Sequence, residues 1–310
     1  MKVVILCGGQ GTRLRQETEF RPKPLVEIGG RPVLWHIMRL YAHHGFNEFI
    51  LCLGYRGNMI KEYFLNYQAF NHDFTLDYSQ KQQFSMLGSP TDTGSSAQIT
   101  FHPGQTARNR RIAFDAFKVT LVDTGEKNMT GSRVKQILPY LQDDDTFMLT
   151  YGDGVANVNI RELAAFHKCH DKLATVTSVQ PDSRFGVMDV QDDGHVSKFI
   201  EKPKTQQWSS AGYFVLDRGV FDLLDDDPNC VFEERPLQQL AAGGQLVSYA
   251  HHGFFYPMDT FRDYLKLNEL WEDAPAPWEV WHGQETLFNR GAGPLRVAQS
   301  EPYTGAYMGA

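Results

Sequence analysis

A chain of 310 residues with 42% hydrophobic and 13% aromatic side chains can bury one large α/β core or two smaller ones. A formal net charge of −7 with no dominating basic stripe excludes general nucleic-acid binding, so any phosphate ligand must be held by local cations. No apolar run reaches 18 residues and the N-terminus enters a strand directly, so neither a transmembrane helix nor a signal peptide is expected.

Val3-Val4-Ile5-Leu6-Cys7 is an apolar, partly β-branched run that predicts a buried strand. It runs into Gly8-Gly9-Gln10-Gly11-Thr12-Arg13-Leu14, and Arg21-Pro22-Lys23-Pro24 follows. Glycines after a strand let backbone N–H groups turn toward an anion. Thr12 adds a hydroxyl donor, and Arg13 and Lys23 add fixed positive charge. These parts suit a triphosphate, although the spacing matches neither a Walker A loop nor the dinucleotide Gly-x-Gly-x-x-Gly. A glycine turn with surface basic residues is the alternative.

Pro32 predicts a helix start, and Val33, Leu34, Ile37, Met38, Leu40 and Tyr41 give that helix an apolar face. Residues 47–53 read as a strand and 58–67 as a helix, an order that predicts a parallel sheet with right-handed crossovers. Residues 79–117 are polar, with turn signals at Gly88-Ser89-Pro90 and Gly94-Ser95-Ser96 and a basic run at 108–111. They read as an irregular excursion or hairpin, with a plain solvated loop as the alternative.

Beyond the excursion the pattern predicts strands at 119–122, 146–151, 174–179 and 211–217. Two short strands are expected around Arg184-Phe185-Gly186 and at 196–199. Helices are expected at 132–141, 160–170, 233–242 and 261–271. Residues 282–310 lack clear periodicity and read as a loosely attached tail.

Asp153 follows the strand ending at Tyr151, and Asp259 precedes the helix opening at Phe261. Ligands of open α/β sheets bind outside the carboxyl ends of strands, so both carboxylates could reach one Mg2+. A common Gly-Asp-Gly turn and a helix N-cap are the structural alternatives. His43-His44, His167 with His170, and His251-His252 lack cysteine partners at finger spacing and read as structural or surface residues. Cys7, Cys52, Cys169 and Cys230 contain no C-x-x-C pair, which predicts reduced, mostly buried thiols in a cytoplasmic protein.

The string GGxGTRL with a downstream PKP resembles the sugar-1-phosphate nucleotidyltransferases. Longer strings are similar to the glucose-1-phosphate cytidylyltransferase family: residues 25–38, 119–125, 129–133, 150–155, 166–170, 184–186, 201–203, 257–263 and 276–278. The resemblance implies a Rossmann-like α/β fold with a mixed, mainly parallel central sheet. The domain would cover 1–281, with 79–117 as an insertion and 282–310 as a tail. Asp153 and Asp259 would bind Mg2+, and Arg13 and Lys23 would be the catalytic cations. Leu6, Gly8, Gly9, Gly11, Thr12, Gly131, Arg133, Gly152 and Asp153 would bind the nucleotide with them. Tyr151, Glu201, Lys202, Ser210, Ala211 and Gly212 would face the sugar phosphate.

The implied reaction joins CTP and a hexose 1-phosphate into a CDP-sugar and pyrophosphate, in a homo-oligomer. A different sugar (heptose or octose) or nucleotide, or a catalytically weak nucleotide-sugar-binding regulator, are the alternatives. The family's Ile-Asn-Gly-Gly-Phe-Phe segment is Ser209-Ser210-Ala211-Gly212-Tyr213-Phe214 here. That departure predicts a changed sugar pocket: a shorter donor at Ser210, a methyl near the ligand at Ala211 and an added hydroxyl at Tyr213.

Overall fold

The computed structural model describes residues 1–9, 11–71, 74–77, 98–101, 117–183, 185–273 and 275–281. Gln10, the basic run at 108–111, Arg184 and the 282–310 tail lie outside the described residues, as does most of the 79–117 excursion. What is described there is a stem, in which Phe74–Asp77 pairs antiparallel with Gln98–Phe101.

Seven strands form the central sheet: β1 (Val3–Cys7), β2 (Glu48–Leu53), β3 (Lys118–Asp123), β4 (Thr146–Tyr151), β5 (Ala174–Val179), β6 (Ser209–Asp217) and β7 (Leu246–Ala250). Their order is β7-β5-β6-β4-β1-β2-β3. β6 runs against both its neighbours, and every other pairing is parallel. The sheet is therefore mixed and mainly parallel, as the resemblance implied.

The longer helices among the described residues are α1 (Val33–His43), α2 (Gly57–Leu65), α3 (Thr130–Gln136), α4 (Ile160–Lys168), α5 (Arg235–Ala242) and α6 (Phe261–Glu272). The single helix expected at 132–141 is two, because Leu138–Leu141 starts afresh with a proline in its first turn. Pro139 has no N–H to continue the α3 ladder. The sequence pattern also missed β7 and a small ladder in which Gly154–Ala156 pairs antiparallel with Phe255–Pro257. Three-residue strands are too short to show a period.

Side-chain alternation explains why β1 reads as an unbroken apolar run. Val3, Ile5 and Cys7 enter one core, and Val4 and Leu6 enter the other, on opposite faces of the sheet. The first core receives Val33, Leu34, Ile37, Met38, Leu40 and Tyr41 of α1. At about 1.5–3 kcal/mol per fully buried aliphatic or aromatic side chain, that face outweighs any weakness in helix propensity.

The same core holds the last described residues. Trp278 stacks on Trp271 and Phe254, and its Nε1 donates to His36 Nδ1 at 3.3 Å. His36 Nε2 in turn lies 3.0 Å from the Ile28 carbonyl. Burial pushes the His36 pKa down to about 4, so the ring is neutral and Nδ1 can accept.

β1 lies between β2 and β4, and the chain goes from β1 to β2 on one side of it but from β4 to β5 on the other. Such a switch point opens a crevice at the sheet edge.

Candidate active site

Gly8 leaves β1 directly into this crevice. A Cβ at Gly8 would lie 2.2 Å from the Arg133 guanidinium carbon, so only glycine fits. Arg133 is 4% exposed and cannot step aside. Its Nη1 donates to the Leu53 carbonyl (2.9 Å) and Thr124 Oγ1 (2.8 Å), and its Nη2 to the carbonyls of Gly8 (3.3 Å) and Glu126 (3.2 Å). Burial lowers the Arg133 pKa, with no carboxylate among these partners. The guanidinium thus ties the ends of β1, β2 and β3 together beneath the glycine turn.

Gly8→Ala is expected to destabilise the fold by about 1–3 kcal/mol, the usual range for overpacking a filled site. Gly9→Ala, where an added Cβ meets nothing within 4 Å, should leave stability unchanged. Denaturant unfolding of the pair checks both, and equal midpoints would remove the Gly8–Arg133 argument.

Further along the turn, Gly11 has φ +61°, and a Cβ there would meet Thr18 at 2.8 Å. Thr12 and Arg13 follow on a single 3-10 turn, both exposed. Lys23 lies on a second such turn, Lys23–Leu25, shaped by Pro22 and Pro24. Pro24 is buried and would lie 3.1 Å from a Cβ at Gly152, so the turn is anchored against the end of β4.

That anchoring aims Lys23 at two carboxylates. Its Nζ donates to Asp153 Oδ2 at 2.6 Å and to Asp259 Oδ1 at 2.8 Å. The small ladder brings the two aspartates together, with Pro257 paired to Gly154 and the Met258 N–H donating to the Asp153 carbonyl at 2.9 Å. Asp259 is not the helix cap: Thr260 and Asp263 form a capping box at the start of α6, and the Asp259 N–H donates to Asp263. Its carboxylate bonds Lys23 and faces Arg13, whose Nη1 is 3.9 Å away. Burial opposes the charge on Lys23, but Asp153 and Asp259 outweigh it and hold the ammonium above the usual lysine value.

A cavity of about 490 Å³ opens at this edge. Gly8 and Gly9 line it from the end of β1 and Tyr151, Gly152 and Asp153 from the end of β4, with Leu6, Lys23 and Arg133. Glu126–Thr130, the segment after β3, lines it as well. Sequence reasoning passed over Glu126, Lys127 and Asn128, though a polar run leaving a parallel strand at the ligand edge was a usable signal.

Other expected site residues sit elsewhere. Gly131 does not line the cavity, and its N–H donates to the Cys230 carbonyl at 2.8 Å. Glu201 and Lys202 are exposed beyond the hairpin Val187–Val190/Val196–Ile200, paired with each other at 3.4 Å. Lys202 has φ +45°, a strained backbone for a residue with a side chain. Ser210 is exposed, and its Oγ accepts from the Gly212 N–H at 3.2 Å.

Two features of the expected sugar pocket are corrected. Ala211 and Tyr213 share one face of β6 and point into the core rather than toward a ligand. Ala211 is 5% exposed, and the Tyr213 hydroxyl donates to the Gly154 carbonyl at 2.8 Å.

His167 and His170 both bond Thr175 Oγ1 at 2.8 Å. Among the described residues, no group of three or more His, Cys, Asp or Glu side chains could hold a metal ion. A site with two carboxylates completed by substrate phosphates needs no such group, and Mg2+ is commonly held that way. Asp153 and Asp259 already converge on one cation, the Lys23 ammonium, so the donor pair fits. All four cysteines are free, and Cys7, Cys52 and Cys230 are buried. No helix among the described residues is long and apolar enough to cross a membrane.

The Nucleotidyl transferase family matches residues 2–274. The chain is 45% identical over 285 residues to glucose-1-phosphate cytidylyltransferase of Salmonella typhi, covering 91% of this chain and all of that protein. It is 44% identical to the protein of the same name from Salmonella typhimurium, again covering 91% of this chain and all of the relative. Among solved structures, HddC from Yersinia pseudotuberculosis superposes with a TM-score of 0.57 at 21% identity, over 86% of this chain and 98% of that one. CTP:phosphocholine cytidylyltransferase from Streptococcus pneumoniae gives 0.53 at 16% identity, over 87% and 98%. These two matches share the fold. The family profile and the full-length Salmonella relatives go further: the chain belongs to the nucleotidyl transferase family, within its glucose-1-phosphate cytidylyltransferase group.

Proposed function

We propose that this chain transfers a cytidylyl group from CTP to a hexose 1-phosphate, glucose 1-phosphate or a modified sugar, releasing pyrophosphate and a CDP-sugar. The observation that carries the reading is the Lys23 ammonium bridging Asp153 and Asp259 beside the glycine turn, with Lys23 and Asp153 lining the cavity. The relatives' names supply the substrate class.

The nucleophile is a phosphate monoester with a second pKa of about 6, anionic at neutral pH, so no general base is needed. The protein has to place two anions in line and offset their repulsion. Lys23 and Arg13 supply positive charge, Gly8, Gly9, Gly11 and Thr12 line the phosphates, and Arg133 fixes the turn from below. Mg2+, held by Asp153 and Asp259, supplies further neutralisation of phosphate charge when bound. Tyr151, Ser210 and Gly212 face the sugar side, with Glu201 and Lys202 reaching it from the hairpin. The catalytic domain spans 1–281. The free, mostly buried cysteines support a cytoplasmic setting, and the family resemblance supports a homo-oligomer.

A pyrophosphate-release assay pairing each NTP with a panel of sugar 1-phosphates tests the reading. CTP should be the best nucleotide, and no release with any pair would overturn the reaction. Ser210 stands where the family carries an asparagine amide, and it has one donor where the amide has two. A hexose other than glucose, or a heptose or octose 1-phosphate, should therefore exceed glucose 1-phosphate in kcat/KM, by roughly tenfold if a hydrogen bond to glucose is lost. Highest efficiency with glucose 1-phosphate would show that a shorter side chain at Ser210 leaves specificity intact.

A further inference from the structure

Glu233 joins two walls of the cavity that come from distant parts of the chain. Tyr151, at the end of β4, lines the cavity, and its hydroxyl donates to Glu233 Oε1. Thr130, the first residue of α3, also lines it and donates from Oγ1 to Glu233 Oε2 at 2.5 Å. The Thr130 hydroxyl accepts in turn from the Phe232 N–H at 2.9 Å, so its orientation is fixed.

The Tyr151 ring is fixed too. It lies over Gly212 (φ +74°), where a Cβ would come within 2.2 Å of the ring, and it meets Phe214 edge-on at 6.4 Å. Burial and the neighbouring Glu233 carboxylate both raise the Tyr151 pKa, so the phenol stays protonated and donates. Glu233 itself is exposed.

An exposed carboxylate bonded to two residues that line a site for phosphates needs a reason. It repels the phosphate groups, which Lys23 and Arg13, gathered at Asp153 and Asp259, attract. What a carboxylate can take is a hydroxyl. An ionised carboxylate offers about four acceptor positions, and the Tyr151 and Thr130 hydroxyls use two.

We propose that Glu233 accepts a ring hydroxyl of a substrate sugar and is held for that task by Tyr151 and Thr130. The proposal rests on the substrates argued above. Both substrates carry ring hydroxyls, the sugar of the sugar 1-phosphate and the ribose of the nucleotide, and the test separates them.

Glu233→Gln keeps the shape and one acceptor oxygen, Glu233→Ala removes the group, and Tyr151→Phe removes one of its anchors. For both Glu233 variants, KM for one substrate should rise about tenfold or more, the effect of losing a hydrogen bond to a charged acceptor. The loss in kcat should be smaller, and the thermal midpoint should not move. Tyr151→Phe should shift the same KM by less.

A rise confined to the sugar 1-phosphate assigns its ring as the donor. A rise confined to CTP assigns the ribose, and 2′-deoxy-CTP or 3′-deoxy-CTP should then abolish the difference between wild type and Glu233→Gln. Both results support the proposal. Neither KM moving beyond about twofold, or both rising together with a lowered midpoint, overturns it and leaves a structural brace.

Calorimetric titration of CTP and of glucose 1-phosphate into wild type and variants reads the same differences without turnover. A wild type that binds both but releases no pyrophosphate overturns the reaction while leaving the role of Glu233 readable. Equal affinities in wild type and Glu233→Ala overturn Glu233 alone.

Discussion

Lys23→Ala should lower the single-turnover rate of cytidylyl transfer by about 10²- to 10³-fold, the range found when one preorganised charge-stabilising donor is removed. The Lys23 side chain is 12% exposed, and its ammonium is bonded to both carboxylates before substrate arrives. A group so placed costs no reorganisation as charge shifts onto the departing pyrophosphate. Lys23→Arg should not restore the rate. The guanidinium is a wide planar fork, and the space between Asp153 Oδ2 and Asp259 Oδ1 holds a single nitrogen at 2.6 and 2.8 Å.

Loss of Lys23 also leaves two carboxylates facing each other, so a fall in stability must be separated from a fall in rate. Circular dichroism and a thermal scan of Lys23→Ala do that. A folded variant with a wild-type single-turnover rate would reduce Lys23 to a counter-ion.

Much of this site is legible in the sequence because its parts are local. A buried strand, a glycine turn and a proline-framed lysine each leave a signature within a few residues, and the structure places Gly8, Gly9 and Lys23 at one cavity. The convergence of Asp153 and Asp259 is not local, since it depends on the three-residue ladder Gly154–Ala156/Phe255–Pro257. The facing of Ala211 and Tyr213 was misjudged for a related reason. Strand register decides which side chains turn inward, and a one-residue slip reverses every side chain. Glu233 gave no functional signal, and the sequence pattern put it at the start of the helix expected at 233–242. It sits instead in a short turn before α5, exposed, and gains meaning only once Tyr151 and Thr130 are seen to share it. Arg133 was readable as a cation near the site, but not as one bonded to four oxygens under Gly8.

Asp153→Asn and Asp259→Asn should each raise the Mg2+ concentration at half-maximal rate by about tenfold or more, because each replaces a charged oxygen ligand for a hard cation with a neutral one. The two carboxylates are comparably placed, 31% and 30% exposed, and both bond the same ammonium, so neither variant should be silent. The effects should differ in kind. Asp153 lines the cavity at the end of β4, so its variant should also weaken the approach of the phosphates. Asp259 sits just before the capping box of α6 and also faces Arg13 at 3.9 Å, so its variant should free that guanidinium as well. Mn2+ binding followed by electron paramagnetic resonance, with CTP present and no sugar phosphate, reads metal affinity apart from turnover. Affinity should fall in both single variants and fall further in the double variant. Unchanged half-saturation in both single variants would sink the assignment of these carboxylates to a metal. They would then serve to hold Lys23 in the cavity wall, and the phosphate charge would have to be met by Lys23, Arg13 and the glycine turn alone.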